Sequence, residues 1–445
     1  MRLFIHAMLL LTLSGGMLMA ESRENGVFPY AYTVETLENG LTVIMIPMSG
    51  SGLMSYYSIV RTGSRDEFEA GKTGFAHFFE HMMFRGTKNY PAAMYDRMVT
   101  EMGADANAYT TDDYTAYHLS FAAEDLETVV KLESDRFQNL DYEEAAFQTE
   151  AGAVYGEYRK NISNPWQVLF EALLGKAFTR HTYGHTTIGF EEDIKAMPQL
   201  YEYSKEFFSR YYRPDNTVLL LAGNFREADA MELIRRHYGD WEAGYQMPDV
   251  LAEPAQTAER RVDVVYEGKT LPLLVVSYKG PALDVGDPVM VAGSMLEELL
   301  FGETSDIYRT LVLKEQKVQF ISADFGFNRD PRLWSIYAMI KDEADIASVR
   351  TEIDRTIAQF RSRTVSDRQL ADLKKRLKYS FLMGLDTPDK VAGRLARLTA
   401  ITGGIDVVDR LYAAYDAVTP DDLRAAVERY LADERRTIAT LKGRE

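Results

Sequence analysis

The sequence predicts two copies of one α+β domain, and three observations point to this fold class. The chain has 445 residues, more than one ordinary domain needs. The order of predicted strands and helices begins again after an Ala- and Pro-marked stretch at 243–259. A helix ending in Arg210-Tyr211 before a strand at Thr217 is echoed by Arg429-Tyr430 before a strand at Thr437, which indicates an internal repeat. The predicted division is an N-terminal domain at 26–240, a linker at 241–260 and a C-terminal domain at 261–445.

The first half alternates short strands with amphipathic helices. Residues 32–37 and 41–47 alternate in polarity on either side of Glu38-Asn39-Gly40, which predicts a β-hairpin. Residues 216–222 are nearly all aliphatic, which is typical of a strand buried on both faces. The other predicted strands are 55–62, 105–110 and 114–121, and the predicted helices are 74–85, 91–103, 124–140, 143–162, 166–178 and 201–212.

The second half repeats this order without a histidine. All seven histidines of the chain lie at or before His237, so the second half offers no imidazole ligand. A helix is predicted at 289–300, several more follow residue 340, and the last one contains Arg429-Tyr430. The predicted strands are 262–266, 273–278, 318–327, 333–340 and 437–441.

Composition excludes several classes of function. The net charge of −17 argues against nucleic acid and against an anionic membrane surface as partners. The chain is 46% hydrophobic and 26% charged, which favours a folded protein with an ample core. It has no cysteine, which excludes disulfides, a thiolate nucleophile and thiolate zinc ligands. Any metal site must therefore use His, Asp or Glu.

The N-terminus has the pattern of a secretory signal peptide. Arg2 supplies the positive charge, residues 3–13 form an apolar run, and a small residue, Ala20, precedes the predicted cleavage site. Ser14, Gly15 and Gly16 leave the run too short to span a membrane. We expect residues 1–20 to be removed, with the mature protein periplasmic or secreted and without a membrane span. The alternative is an uncleaved N-terminal anchor.

The run from Gly74 to Arg85 contains the candidate residues of a metal site. It lacks an internal Gly or Pro, and it is apolar around His77, Glu80 and His81. On a helix, residues at i, i+3 and i+4 share one face, so two imidazoles can hold one metal ion while the carboxylate binds a water molecule beside it. The alternative is a pair of core histidines, but burying three ionisable groups among phenylalanines is costly without a metal or partners.

The third ligand is less clear from the residues alone. A catalytic zinc usually has three protein ligands and one open position. The helix predicted at 143–162 offers Glu144, Glu150 and Glu157, and the last two share a face because they are seven residues apart. Helix geometry alone favours a solvated acidic face over a metal ligand. Four other histidines are rivals as ligands: His118, His181, His185 and His237.

The sequence around this helix resembles the inverted zinc peptidases, the family of pitrilysin, insulin-degrading enzyme and the mitochondrial processing peptidase. The resemblance rests on Gly63-Ser64-Arg65-Asp66-Glu67 and on the run from Gly74 to Thr87 with its H-x-x-E-H motif. It continues through Asn107-Ala108-Tyr109-Thr110, Tyr183-Gly184, Ile188-Gly189 and 210–216. It covers the mature first half closely and the second half only loosely.

This resemblance implies a set of roles for individual residues. In the family, a glutamate about 76 residues after the second histidine completes the zinc site, and another lies seven residues before it. Glu157 and Glu150 occupy these places. The resemblance thus implies Zn²⁺ held by His77, His81 and Glu157, Glu80 as general base towards a zinc-activated water, and Glu150 as an assisting acid or a residue that supports a ligand. The alternative for Glu150 is a structural salt bridge.

The resemblance also implies how a substrate binds. An extended peptide would pair with the edge strand at Asn107 and Ala108, and two such units would close like a clam around a peptide chamber. Each domain would be a mixed β-sheet flanked by helices, and one chain would be half of the clamshell. The expected function is a zinc metalloendopeptidase for peptides or small unfolded proteins. The alternatives are a non-catalytic scaffold or binding subunit and a metal hydrolase for another substrate class.

One departure from the family predicts a partner. Relatives place an Arg and a Tyr that bind the substrate backbone near a Lys-Glu-Gln stretch of the second half. Here Lys314-Glu315-Gln316 is present, but Val312 stands in the place of the Arg, and Gln319 or Phe320 in that of the Tyr. Some bacterial relatives divide these features between two subunits. We therefore expect a heterodimer with a homologous subunit that lacks H-x-x-E-H; the alternative is a homodimer.

Overall fold

A computed structural model describes residues 26–362 and 365–444. The predicted signal peptide at 1–20 lies outside the described residues. Within those residues, eleven strands form two sheets. The strands are β1 Thr33–Thr36, β2 Thr42–Pro47, β3 Leu53–Val60, β4 Asp105–Thr110, β5 Thr115–Ala122, β6 Thr217–Gly223, β7 Arg260–Tyr266, β8 Leu273–Lys279, β9 Val318–Asp324, β10 Leu333–Ile340 and β11 Arg436–Gly443.

Helices separate most of these strands. They are α1 Phe75–Met82, α2 Ala92–Glu101, α3 Leu126–Asn139, α4 Glu144–Asn161, α5 Pro165–Ala177, α6 Glu191–Ala196, α7 Tyr201–Tyr211, α8 Glu227–Tyr238, α9 Pro288–Phe301, α10 Asp306–Tyr308 with a π-helical continuation Arg309–Lys314, α11 Ile346–Ser362, α12 Asp367–Met383, α13 Pro388–Thr402, α14 Val407–Ala417 and α15 Pro420–Tyr430. None of the helices in this described part combines the length and apolar character needed to cross a membrane.

The two sheets have the same topology, which confirms the predicted fold class. The first has the order β1-β2-β6-β3-β5-β4 and the second β7-β11-β8-β10-β9. Apart from the extra strand β1, the orders correspond strand by strand. In both sheets the first corresponding pair, β2 with β6 and β7 with β11, is parallel and the other pairs are antiparallel. Each sheet is therefore mixed and flanked by helices. The domain and linker boundaries stay a prediction.

The two halves exchange one helix each. Helix α5 of the first half packs against β7 and β11 of the second sheet, with Leu169 and Leu173 in a shared apolar cluster. Helix α13 of the second half packs against β3 and β6 of the first sheet, with Val391 and Leu395 in another cluster. The opposite face of the first sheet is covered by a core that includes residues of α1, α3, α4, α7 and α8. This reciprocal packing buries both faces of β6, as its aliphatic run predicts.

Two predictions about elements need adjustment. The strand predicted at 318–327 ends at Asp324, because Gly326 turns the chain with a φ of 63°. Helix α8 was absent from the predicted elements, although Ala230, Ile234 and Tyr238 form a buried stripe at helical spacing. Residues 241–259 have neither helix nor strand.

Candidate metal centre

Helix α1 begins at a fixed point of the core. Its N-cap Gly74 has a φ of 91°, and a Cβ there would lie 2.5 Å from the carbonyl oxygen of Ile188. Both conditions require glycine. The buried carboxylate of Glu67 accepts hydrogen bonds from the N–H groups of Gly74 at 2.8 Å and Ala76 at 2.7 Å. These contacts satisfy free N–H groups of the first turn and fix the direction in which the helix leaves the cap.

The two faces of α1 differ in character. Phe75, Phe78 and Phe79 are fully buried in the core of the first half. His77, Glu80 and His81 share the other side, as their i, i+3 and i+4 spacing predicts. Helix α1 packs against α4, and this contact brings α4 carboxylates to the two histidines.

Three side chains converge there in a way that fits a metal ion. Oε2 of Glu157 lies 3.6 Å from Nε2 of His77 and 3.4 Å from Nε2 of His81. Ligand atoms that lie 2.0–2.2 Å from one tetrahedral ion are separated by about 3.3–3.6 Å. Two imidazole nitrogens and one carboxylate oxygen are also the donors that zinc takes when cysteine is absent. In the described part of the chain, this is the one group of three or more such residues whose ligand atoms lie within 4.8 Å of one another.

Glu150 contacts the other ring nitrogen of His81. Its Oε1 lies 2.9 Å from Nδ1 of His81. Because an ionised carboxylate only accepts, Nδ1–H is the donor, and Nε2, which faces Glu157, is the nitrogen whose lone pair becomes available to a metal ion once its proton is lost. Oε2 of Glu150 accepts from Nε of Arg85 at 2.6 Å. A carboxylate behind a ligand histidine is the usual device for fixing the tautomer and orientation of the ring.

The charges of the group suit a divalent cation. Hydrogen bonds with Glu150 and Glu157 raise the pKa of His81 to about 9, although burial opposes this. The hydrogen bond with His81 lowers the pKa of Glu157 to about 2. Burial is the main influence on His77 and lowers its pKa, which keeps this imidazole neutral. Burial alone would raise the pKa of Glu150, but hydrogen bonds from His81 and Arg85 lower it overall. The site thus holds two carboxylates and a proton on His81 that a metal ion would displace.

Glu80 points from the same helix towards the edge of the first sheet. Its Oε2 accepts a hydrogen bond of 2.7 Å from the hydroxyl of Thr110, the last residue of β4. β4 is the final strand of this sheet in the described residues. Asn107 and Ala108 lie on it, paired with His118 and Tyr117 of β5. The arrangement places the predicted substrate strand beside the predicted base.

Three further histidines of the described residues have contacts elsewhere. His118 stacks on Tyr57 with 4.7 Å between the ring centroids. Nε2 of His181 lies 3.0 Å from Asp330, and Nδ1 of His185 lies 2.9 Å from the carbonyl oxygen of Thr186. Neither these nor His237 belongs to the three-residue group found in the described residues. Glu144 is also outside this group, and its carboxylate accepts a hydrogen bond from the side chain of Gln148.

Sequence reasoning gave no role to three residues of this site, although all three lie in segments that carry the family resemblance. They are Glu67, which binds the N-terminus of α1, Arg85, which binds Glu150, and Thr110, which binds Glu80. Arg85 lies four residues after His81, just beyond the end of α1, and this spacing in the helix predicted at 74–85 is a signal that could have been used. The contacts of Glu67 and Thr110 join segments whose approach depends on the packing of loops and of β4, so no local pattern indicates them.

Comparison with known proteins identifies the family. Residues 55–190 match the family description Insulinase (Peptidase family M16), and residues 200–377 match Peptidase M16 inactive domain. The chain is 28% identical to zinc protease PqqE of Helicobacter pylori over 92% of each chain. It is 26% identical to the rat mitochondrial-processing peptidase subunit beta, over 92% of this chain and 84% of that protein.

A solved structure shows the same fold. The crystal structure of a protease from Helicobacter pylori superposes with a TM-score of 0.87 and 26% identity, over 93% of this chain and 100% of the other. The resemblance inferred from the H-x-x-E-H run is therefore confirmed for both halves. The chain belongs to peptidase family M16.

Proposed function

We propose that this chain is a zinc-dependent endopeptidase that hydrolyses peptides or small unfolded proteins enclosed in a chamber. The observation that carries the proposal is the convergence of Nε2 of His77, Nε2 of His81 and Oε2 of Glu157, with Glu80 on the same helix face. Two imidazoles and one carboxylate with an open fourth position are a typical ligand set of a catalytic zinc. The relative that is named a zinc protease supports the same reaction class.

The residues of the site have separate tasks in this proposal. His77, His81 and Glu157 would hold Zn²⁺, which when bound makes water more acidic and polarises the scissile carbonyl. Glu80 accepts the proton of the attacking water and passes it to the leaving amine. Glu150 keeps Nδ1 of His81 protonated and Nε2 free for the metal.

The open edge of β4 is the proposed peptide site. Asn107 is exposed, and its Oδ1 accepts from the N–H of Ala108 at 2.9 Å. A peptide that adds a strand at this edge would bind through backbone groups, with its side chains alternating between the two faces. The selectivity for sequence should then be modest and depend on pockets beside the strand.

The test compares two variants with the wild type. Glu80→Gln leaves every proposed ligand in place, so we expect full zinc content and a loss of cleavage by about 10²–10⁴-fold. His81→Ala should lose the metal itself. Glu144→Gln, on the same helix as Glu157 but outside the group, is the matched control and should behave as wild type. A quenched-peptide assay and metal analysis measure both properties, and wild-type cleavage by Glu80→Gln would refute the proposal.

We also propose that the working protein contains a second, homologous chain. The family resemblance implies a chamber of two units, and the relative from rat is itself named a subunit. Val312 stands where the resemblance places the Arg, and Gln319 or Phe320 stands where it places the Tyr. The ring of Phe320 packs against Trp166 with 5.8 Å between the ring centroids. A sister subunit would supply the missing pair. Light scattering and cleavage measured together on the zinc-loaded chain decide this: a fully active homodimer would contradict it, and activity restored by a co-encoded sister chain would support it.

We also propose that the protein is exported after its N-terminal segment is removed. The charge at Arg2, the apolar run at 3–13 and Ala20 indicate removal of about twenty residues and a periplasmic or secreted mature protein. Mass spectrometry of the natively expressed protein should find an N-terminus near Glu21. Intact Met1 in a soluble cytosolic fraction would be inconsistent with export.

A further inference from the structure

A hydroxyl group from the edge strand holds the carboxylate of Glu80. The hydroxyl of Thr110 donates to Oε2 of Glu80 over 2.7 Å, and both side chains are half-buried. Side chains alternate along a strand, so Thr110 shares its face of β4 with Ala106 and Ala108. These two alanines pack against the core that contains α1. The strand therefore aims the Thr110 hydroxyl at the helix that carries Glu80.

The end of β4 is itself firmly placed. The next residue, Thr111, closes a turn: its N–H donates to the carbonyl oxygen of Tyr114 at 2.8 Å, and its hydroxyl accepts from the N–H of Tyr114 at 3.1 Å. Asp113, inside this turn, is buried and accepts from the hydroxyl of Tyr183 at 2.6 Å and from the N–H of Arg329 at 3.0 Å. Because Arg329 belongs to the second half of the chain, both halves fix the position of Thr110.

This geometry has a chemical consequence for a general base. A carboxylate on a free side chain rotates between several orientations, and misplacing a reacting group by about 1 Å costs about 100-fold in rate. With Oε2 held by Thr110, Oε1 is left to accept a proton. The hydrogen bond is charge-assisted, which makes it one of the stronger kinds in proteins.

We propose that Thr110 is the positioning residue of Glu80 and that it connects the peptide strand to the base. This inference rests on the proposed peptidase function. A peptide paired along Asn107 and Ala108 would lie within three residues of the hydroxyl that holds Glu80. Because the turn after β4 already fixes Thr110, the carboxylate is oriented towards this strand before a peptide binds.

The experiment removes the hydroxyl and then restores it. Thr110→Val keeps the shape and the strand preference of the side chain, Thr110→Ala is a second variant without the hydroxyl, and Thr110→Ser returns it. The protein is purified from its own source with any subunit that accompanies it. We expect kcat to fall about 10- to 100-fold in Thr110→Val and Thr110→Ala, since a hydrogen bond to a charged group is lost, with KM and zinc content unchanged. Thr110→Ser should stay within about threefold of wild type, by the same reasoning.

The matched control lies on the opposite edge of the same sheet. The hydroxyl of Thr33, on β1, donates to the carboxylate of Glu227 on α8, again a contact from an edge strand to a helix. Thr33→Val removes this pair without touching the metal centre. We expect its kcat and KM to match those of the wild type.

A double variant separates positioning from general structure. In the Glu80→Gln background, Thr110→Val should leave the residual rate unchanged, because its effect passes through the carboxylate that is already gone. Three results would overturn the role of Thr110 and leave the proposed function standing. They are an equal loss in both backgrounds, a loss expressed in KM, and wild-type kcat in Thr110→Val. A wild-type protein without zinc-dependent cleavage would overturn the proposed function and this role together.

Discussion

The contact between Glu150 and His81 makes a quantitative prediction for zinc affinity. Glu150→Gln keeps the size of the side chain but removes its charge. The glutamine has one acceptor oxygen, whereas Glu150 serves His81 with Oε1 at 2.9 Å and Arg85 with Oε2 at 2.6 Å. Arg85 carries only donors, so the amide NH₂ cannot replace the lost oxygen. Loss of such a supporting group typically weakens metal binding about 10- to 100-fold, or roughly 1.4–2.7 kcal/mol.

The size of this loss should depend on pH. In the wild type, hydrogen bonds with Glu150 and Glu157 raise the pKa of His81 to about 9, so below this pH zinc must displace a proton. Glu150→Gln lowers that pKa and reduces the competition from protons. Each unit by which it falls restores about tenfold in apparent affinity at pH values below both pKa values. The loss should therefore be largest at pH 9 and smaller at pH 7.

The assay is a competition between the protein and a chromophoric chelator at pH 7 and pH 9. Glu144→Gln is the control, since it makes the same substitution on the same helix and its carboxylate contacts Gln148 rather than a histidine. An unchanged zinc affinity of Glu150→Gln at pH 9, or an equal loss in Glu144→Gln, would show that Glu150 does not support the ligand.

Two further predictions concern protons and burial. Zinc binding to the wild type should release about one proton below pH 9, and the apparent affinity should rise about tenfold per pH unit up to that point. Calorimetry in buffers of different ionisation enthalpy measures the number of protons released. Zinc binding without proton release between pH 7 and 8 would contradict the prediction. Burial lowers the pKa of Lys279, whose ammonium lies over the ring of Phe178, to about 8, below its value in the unfolded chain. At this group the folded state therefore binds fewer protons between pH 8 and 10.5, and the contribution of Lys279 to the stability of the wild type should rise with pH across that window. Lys279→Met should stabilise the protein by up to about 3 kcal/mol below pH 8 and by less as the pH approaches 10.5, as urea unfolding at several pH values can show.

Local patterns in the sequence predicted much of the fold. The Asn39-Gly40 turn forms the β1–β2 hairpin, with Gly40 at a φ of 86°. The helix with His77, Glu80 and His81 on one face follows from residues within five positions of one another. The repeat of strand order was also visible, because strand and helix periodicities depend on neighbouring residues alone.

Local sequence patterns did not decide which carboxylate is the candidate third ligand. Helix geometry placed Glu150 and Glu157 on one face but gave neither a role, and only the family resemblance pointed to Glu157 as the ligand. The tertiary structure brings Glu157 to both Nε2 atoms and Glu150 to Nδ1 of His81. This difference depends on the packing of α1 against α4, since seven residues on a helix separate the two carboxylates by two turns.

The sequence by itself determined the fold class, the order of the strands and the presence of two histidines and a glutamate on one helix face. Only the tertiary structure decided the exchange of α5 and α13 between the halves, the anchoring of α1 by Glu67 and the contact of Thr110 with Glu80. The physical reason is the range of the interactions. Periodicity and turn chemistry act over a few residues and can be read locally, whereas these contacts join segments that are brought together by burial of the whole core.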